Sequence, residues 1–135
     1  MFERMKKIIF TESDQATQKF YQGLKEHKLL TTNCLDCKRL FFPPQVVCPQ
    51  CLSNNLSWVE LSGRGKIYAF TQQERGPLFT KPDVIGLVEL EEGIGRVLTR
   101  IEGEFSKLKI GMEVEVSFVD VPNFLTLHQF TPLEI

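Results

Sequence analysis

Four cysteines constrain this chain more than any other residues. They fall as Cys34-Leu35-Asp36-Cys37 and Cys48-Pro49-Gln50-Cys51, two C-x-x-C pairs separated by ten residues. That is the spacing of a tetrahedral zinc site, in which each pair forms a knuckle aiming two thiolates at one point. No cysteine is left over. Two disulfides in a secreted domain would be the competing arrangement. The chain shows no apolar leader with a cleavage site, so the expectation is a reduced, cytoplasmic protein. A redox C-x-x-C would not need the second pair. Four thiolates fill a tetrahedral ion and leave no open position for water or substrate, so the expected zinc is structural. Iron fits the same donor set, and availability decides between the two metals.

The 135 residues allow one domain or two very small ones, and eleven Phe supply apolar surface for a modest core. No run approaches the ~20 apolar residues of a membrane span. The formal charge of −1 hides an asymmetry. Residues 1–66 hold ten Lys/Arg against six Asp/Glu, and residues 67–135 hold six against eleven. An anion-binding surface is therefore expected on the N-terminal part.

Residues 11–28 read as a helix. Thr11 or Ser13 would cap it, with Thr11-x-x-Asp14 as a capping box, and Ala16, Phe20 and Leu24 make a narrow apolar stripe. The stripe would dock on the rest of the chain or on another subunit. The zinc segment follows at residues 29–55. Within it, Phe41-Phe42-Pro43-Pro44 places two adjacent aromatics on opposite faces of an extended stretch. One would cover the metal, and the other needs a second surface.

From residue 56 onward the pattern is β. Residues 66–71, 84–90, 94–101, 110–118 and 125–130 read as strands, with a breaker-rich loop at 76–82 and one helical turn at 105–108. Short strands without long helices between them predict a small closed barrel, and five strands at this length fit the OB type. The expected class is mainly β with an N-terminal helix. The expected segments are 1–28 helical, 29–55 zinc ribbon and 56–135 OB-fold.

These blocks together resemble a family of two-part, acyl-CoA-associated proteins built from a rubredoxin-like zinc ribbon and an OB-fold. The resemblance rests on Phe20-Tyr21 and Leu24, the two knuckles, Phe42-Pro43-Pro44, Trp58, residues 62–68 (Ser-Gly-Arg-Gly-Lys-Ile-Tyr), residues 86–90 with Gly93, and Ile110-Gly111-Met112. It covers roughly residues 16–133. It implies a non-catalytic accessory subunit, a scaffold partner of thiolase-like or hydroxymethylglutaryl-CoA synthase type enzymes or of acyl-CoA hydratases, that helps hold CoA. In many relatives a Gly follows each knuckle's second Cys, where the backbone turns left-handed. Here those positions are Lys38 and Leu52. Residues 72–81 match poorly and would carry protein-specific function.

A CoA site needs cations for phosphates and apolar surface for the base. Lys38, Arg39, Arg64 and Lys66 with Phe41, Phe42, Gly63 and Gly65 are the candidates. The alternative function is a single-stranded nucleic-acid module, since zinc ribbons and OB-folds also serve there. The acidic C-terminal half argues against it. Independent catalysis is not expected. The two histidines, His27 and His128, are far apart in sequence, no free cysteine remains, and no nucleophile or phosphate-loop motif occurs.

Overall fold

The computed structural model describes residues 2–12, 14–74 and 82–133. The sequence-based cap at Ser13 and most of the breaker-rich loop lie outside these residues. The chain divides into two compact units, Met1–Ser62 with Phe118–Leu127, and Gly63–Ser117 with His128–Ile135.

The first unit opens with a short helix α1 (Phe2–Lys7), a π-helical stretch (Ile8–Glu12) and helix α2 (Gln15–Lys25). The sequence reading began one helix at residue 11 with Thr11 as cap. Instead Thr11 Oγ1 donates to the Lys7 carbonyl inside the preceding helical segment. Asp14 caps α2: its backbone is extended, and its carboxylate accepts from the Thr17 N–H at 2.8 Å. At the other end His27 takes a left-handed backbone, φ 60°. The Lys28 N–H reaches the Gly23 carbonyl and the His27 N–H the Leu24 carbonyl, both at 2.9 Å. This is a Schellman stop without glycine.

Strands β1 (Leu30–Cys34), β2 (Leu40–Phe41) and β3 (Leu56–Glu60) form an antiparallel sheet in the order β2-β1-β3. β3 pairs with β1 from Leu30↔Glu60 to Cys34↔Leu56. Residues 56–60, read from sequence as the start of the barrel segment, thus hydrogen-bond to the knuckle sheet. Thr31 and Thr32 are fully buried in β1 and satisfied: Thr31 Oγ1 donates to the Phe41 carbonyl at 2.5 Å, and Thr32 Oγ1 accepts from the Gln45 N–H at 3.1 Å.

The second unit carries β4 (Arg64–Gln73), β5 (Asp83–Leu90), β6 (Arg96–Ile101) and most of β7 (Glu113–Asp120) and β8 (Thr126–Pro132). These close a barrel in the order β4-β5-β6-β8-β7. Every expected strand is present within a few residues at its ends. The largest shift is at β7, where residues 110–112 form a turn instead of opening the strand. A 3-10 turn at Phe105–Lys107 fills the position read as one helical turn. β4 bulges at Tyr68, where its register with β5 shifts. β5 alternates buried Val84, Gly86, Val88 and Leu90 with less buried neighbours. Val88, Ile67, Val97, Ile101, Val114 and Phe130 lie almost wholly out of solvent.

Candidate metal centre and its surroundings

The two knuckles are copies of each other in backbone terms. The Cys34 N–H donates to the Arg39 carbonyl at 2.9 Å, and the Cys48 N–H to the Ser53 carbonyl at 2.8 Å, five residues on in each case. The residue after each second cysteine is left-handed, Lys38 at φ 65° and Leu52 at φ 64°. Two non-glycine residues therefore make the left-handed turn of each knuckle, at the steric cost that a Cβ incurs there. Peptide N–H groups point at sulfur: Cys37 N–H to Cys34 Sγ at 3.4 Å, Gln50 N–H and Cys51 N–H to Cys48 Sγ at 3.4 and 3.5 Å.

All four Sγ atoms lie within 4.8 Å of one another. The short contacts cross between knuckles, Cys34 to Cys51 at 3.5 Å and Cys37 to Cys48 at 3.7 Å. A zinc ion with four sulfurs at about 2.3 Å gives tetrahedron edges of about 3.8 Å. The donor set and its spacing thus fit one tetrahedral ion. Cys34 and Cys48 are buried and form a small cluster with Phe41, against which Leu56 packs, while Cys37 and Cys51 are exposed.

The thiols split electrostatically. The Cys51 N–H, with the Gln50 N–H, holds Cys48 down at about 6. The Cys37 N–H lowers Cys34. The Ser53 N–H favours the Cys51 thiolate, but the sulfurs of Cys34 and Cys48 and burial outweigh it and push Cys51 up to about 12. Four sulfurs this close cannot all ionise without a cation between them, and a divalent metal removes that repulsion.

Asp36 was missed in the sequence reading. It sits inside the first C-x-x-C and ties that knuckle to the chain leaving the second. It accepts from Ser53 Oγ at 2.5 Å and Asn55 Nδ2 at 3.2 Å, and these two bonds hold its carboxyl below the usual range. The Leu35 N–H to Asn55 carbonyl bond at 2.9 Å runs alongside. The polar triplet Ser53, Asn54, Asn55 just after Cys51 was the available signal.

The two adjacent phenylalanines do divide between two surfaces. Phe41 is buried in the cysteine cluster, so its ring cannot stack on a ligand as one CoA candidate assignment required. Phe42 turns the other way and meets Phe20 of α2 edge-on, centroids 6.0 Å apart. His27 lies two residues past the end of α2. Its ring stacks on Phe118 at 4.9 Å, and Nε2 sits 3.3 Å from the Asp120 carboxylate.

The remaining CoA candidates fall in both units. Lys38 and Arg39 are exposed on the first knuckle. Arg64 pairs with Glu115 at 3.6 Å, and Lys66 faces Glu89 on β5 and Glu113 on β7 across the sheet. Gly63 is left-handed at φ 80°, and a Cβ there would collide with Val116; a Cβ at Gly65 would collide with the Glu89 carbonyl. Both glycines admit neighbouring strands rather than a ligand, and both cations face carboxylates of their own sheet. Among the described residues the four cysteines are the one group of three or more metal-ligating side chains that converges. Burial lowers the pKa of His128, whose Nδ1 hydrogen-bonds with Thr99 Oγ1 at 2.8 Å.

Comparison with known proteins matches two family models in turn, with the boundary inside β3. Residues 22–57 match the family described as the ChsH2 rubredoxin-like zinc ribbon domain, and residues 58–119 match the ChsH2 C-terminal OB-fold domain. A DUF35 domain-containing scaffold protein of Methanocaldococcus jannaschii is 33% identical over 115 residues, covering 78% of each chain. A probable enoyl-CoA hydratase alpha subunit of Thermomonospora curvata is 34% identical over 116 residues, 84% of this chain but 36% of that protein. The benzoylsuccinyl-CoA thiolase subunit BbsA of Thauera aromatica is 33% identical over 85 residues, 62% of this chain and 58% of the other. Among solved structures, the Ltp2-ChsH2(DUF35) aldolase superposes with a TM-score of 0.80 at 32% identity, covering 89% of this chain and 96% of that one. This chain spans little more than a third of the hydratase relative. With paired knuckles, a closed five-stranded barrel and relatives matched over most of its length, the chain belongs to the DUF35 family, with a ribbon and an OB-fold of the ChsH2 type.

Proposed function

We propose that this protein is a non-catalytic accessory subunit of an acyl-CoA enzyme of the thiolase, hydratase or aldolase kind, and that its ribbon is the contact surface. The observation that carries this reading is what the knuckles display. Leu35, Val46, Val47 and Leu52 are 40%, 50%, 40% and 76% exposed around the sulfur cage. Apolar side chains gathered on one small module mark a protein contact rather than a catalytic pocket. A closed set of four thiolates supports the same view, because it offers no coordination position to a substrate. The printed names of the relatives supply the enzyme class.

In this reading Cys34, Cys37, Cys48 and Cys51 hold one structural zinc. The ribbon runs through β3, and the OB-fold opens after Ser62. Lys38 and Arg39 at the knuckle rim contact the partner or the bound thioester. The nucleic-acid reading has less support, because Arg64, Lys66 and Arg96 all face carboxylates on the barrel surface.

The test is affinity capture of the tagged chain from its native cells, with mass spectrometry of what co-purifies. An acyl-CoA enzyme in near-stoichiometric amount is the expected result, reduced by Leu52→Asp with Val46→Asp. Ribosomal proteins or RNA without such an enzyme would overturn the proposal.

A further inference from the structure

The barrel holds a cavity that none of the preceding assignments uses. It measures ≈720 Å³, within the roughly 300–1,000 Å³ of ligand sites. Gln72 near the end of β4, Asp83 at the start of β5 and Arg100 in β6 line it, with Glu102, Glu104 and Phe105 from the segment after β6. All six belong to the second unit.

Asp83 is the unusual group. Its side chain is 3% exposed. Oδ2 lies 3.5 Å from Arg100 Nε, while Oδ1 is buried and accepts no hydrogen bond among the described residues. Buried carboxylate oxygens are ordinarily satisfied, because leaving water without gaining a donor is costly. The cation beside Asp83 is already divided. Arg100 Nη1 donates to Glu102 Oε2 at 2.9 Å and to Gln129 Oε1 at 2.5 Å. One guanidinium thus serves two carboxylates, and among the described residues neither Asp83 nor Glu102 has a second cation within ion-pair distance. Glu104 is matched by Lys107 at 3.4 Å.

An unmatched negative charge and an unfilled acceptor therefore coincide at Asp83 Oδ1. A divalent ion does not fit, because among the described residues only the four cysteines converge as metal ligands do. Phe105, 42% exposed and braced edge-on by Phe70 at 5.4 Å, adds an aromatic ring to the cavity. A guanidinium answers the charge, the acceptor and the ring together. It is planar and weakly hydrated, presents its donors as a fork and stacks on aromatic faces, whereas an ammonium is a strongly hydrated point charge. Glu102 and Phe105 are partly in solvent, so a side chain can enter while its backbone stays outside.

We propose that this cavity receives an arginine side chain of a partner protein, whose guanidinium donates to Asp83 Oδ1 and stacks on Phe105. The contact lies on the barrel and goes beyond the accessory-subunit reading, which uses the ribbon.

The test is titration of the full-length, zinc-loaded, isotope-labelled chain with a capped Gly-Arg-Gly peptide at millimolar concentration, followed by amide chemical shifts. Saturable shifts at residues 83–84 and 102–106 are expected. The lysine peptide binds several-fold more weakly, and the neutral citrulline peptide gives no shift. Asp83→Asn loses about tenfold or more in affinity, the scale of one hydrogen bond to a charged group. Glu102→Gln, at an exposed acid whose loss leaves Arg100 to Asp83, also binds more weakly and serves where Asp83→Asn does not fold. Glu60→Gln on the first unit changes nothing. No shift in the wild type, an equal response to citrulline or to lysine, unchanged affinity in both Asp83→Asn and Glu102→Gln, or an equal loss in Glu60→Gln would each overturn the proposal. Tighter binding of free agmatine than of the capped peptide would overturn the protein source of the guanidinium. Affinity capture reads the ribbon and this titration reads the barrel, so either proposal fails without the other.

Discussion

Leu52 holds a left-handed backbone with a branched, exposed side chain, at the point where the second knuckle must turn. A β-carbon there costs roughly 1–2 kcal/mol, and glycine gives back ~0.5–1 kcal/mol in unfolded-state entropy. Leu52→Gly should therefore stabilise the metal-loaded protein by about 0.5–1 kcal/mol, against the usual direction of glycine substitutions, as read by its denaturation midpoint. A lower midpoint would mean that Leu52 makes contacts that the exposed side chain does not show. Cys48→Ser should abolish stoichiometric zinc in elemental analysis, because Cys48 is buried, faces two N–H groups and has no substitute nearby. His128 gives a pH signature. Burial lowers its pKa from 6.5, so the unfolded chain takes up a proton before the folded one does. Stability attributable to His128 is fully present above about pH 6.5 and falls as the pH drops below it toward the depressed folded value. The thermal midpoint of His128→Gln should decline less than that of the wild type between pH 7 and pH 5. Parallel declines would remove His128 as the cause.

Phe42, just past β2, packs edge-on against Phe20 of α2, and Phe20 in turn meets Tyr21 edge-on at 5.5 Å. Phe42 is half-buried, so Phe42→Ala should cost about 1–2 kcal/mol, below the ~3–5 kcal/mol of a fully buried Phe. Denaturant unfolding of the purified variant checks this, and no loss would show that the Phe20–Phe42 contact does not hold α2. This element also shows what a sequence discloses. Two adjacent phenylalanines in an extended stretch must face opposite ways, so their division between metal and second surface was legible. The start of α2 was not. Thr11-x-x-Asp14 and Asp14-x-x-Thr17 are both plausible caps, and only the π-helical stretch before Asp14 decides between them. The barrel strands were legible from short apolar runs bounded by turn residues, with period-two alternation at β7. The role of Gly63 and Gly65 was not, because a glycine that admits a ligand and one that admits a neighbouring strand look alike in a sequence.

At the scale of the whole chain, the four converging cysteines all fall in the first unit, so a metal bound there would staple that unit. Chelation should strip amide exchange protection from β1 and β3 while β4 and β5 keep theirs, because zinc's binding energy is also the ribbon's folding energy. Simultaneous loss across both sets would show one cooperative body instead. The units are interleaved along the chain: residues 118–127, between the bodies of β7 and β8, belong with the ribbon, and the segments on either side belong with the barrel. This has a consequence for biosynthesis. Phe118 follows Cys51 by 67 residues. At roughly 5–20 residues per second, the ribosome exposes all four thiols about 3–13 s before it delivers the segment that completes their unit. The metal must find the nascent ribbon, or wait for the whole protein, and the order of those two events is decided at the tunnel exit.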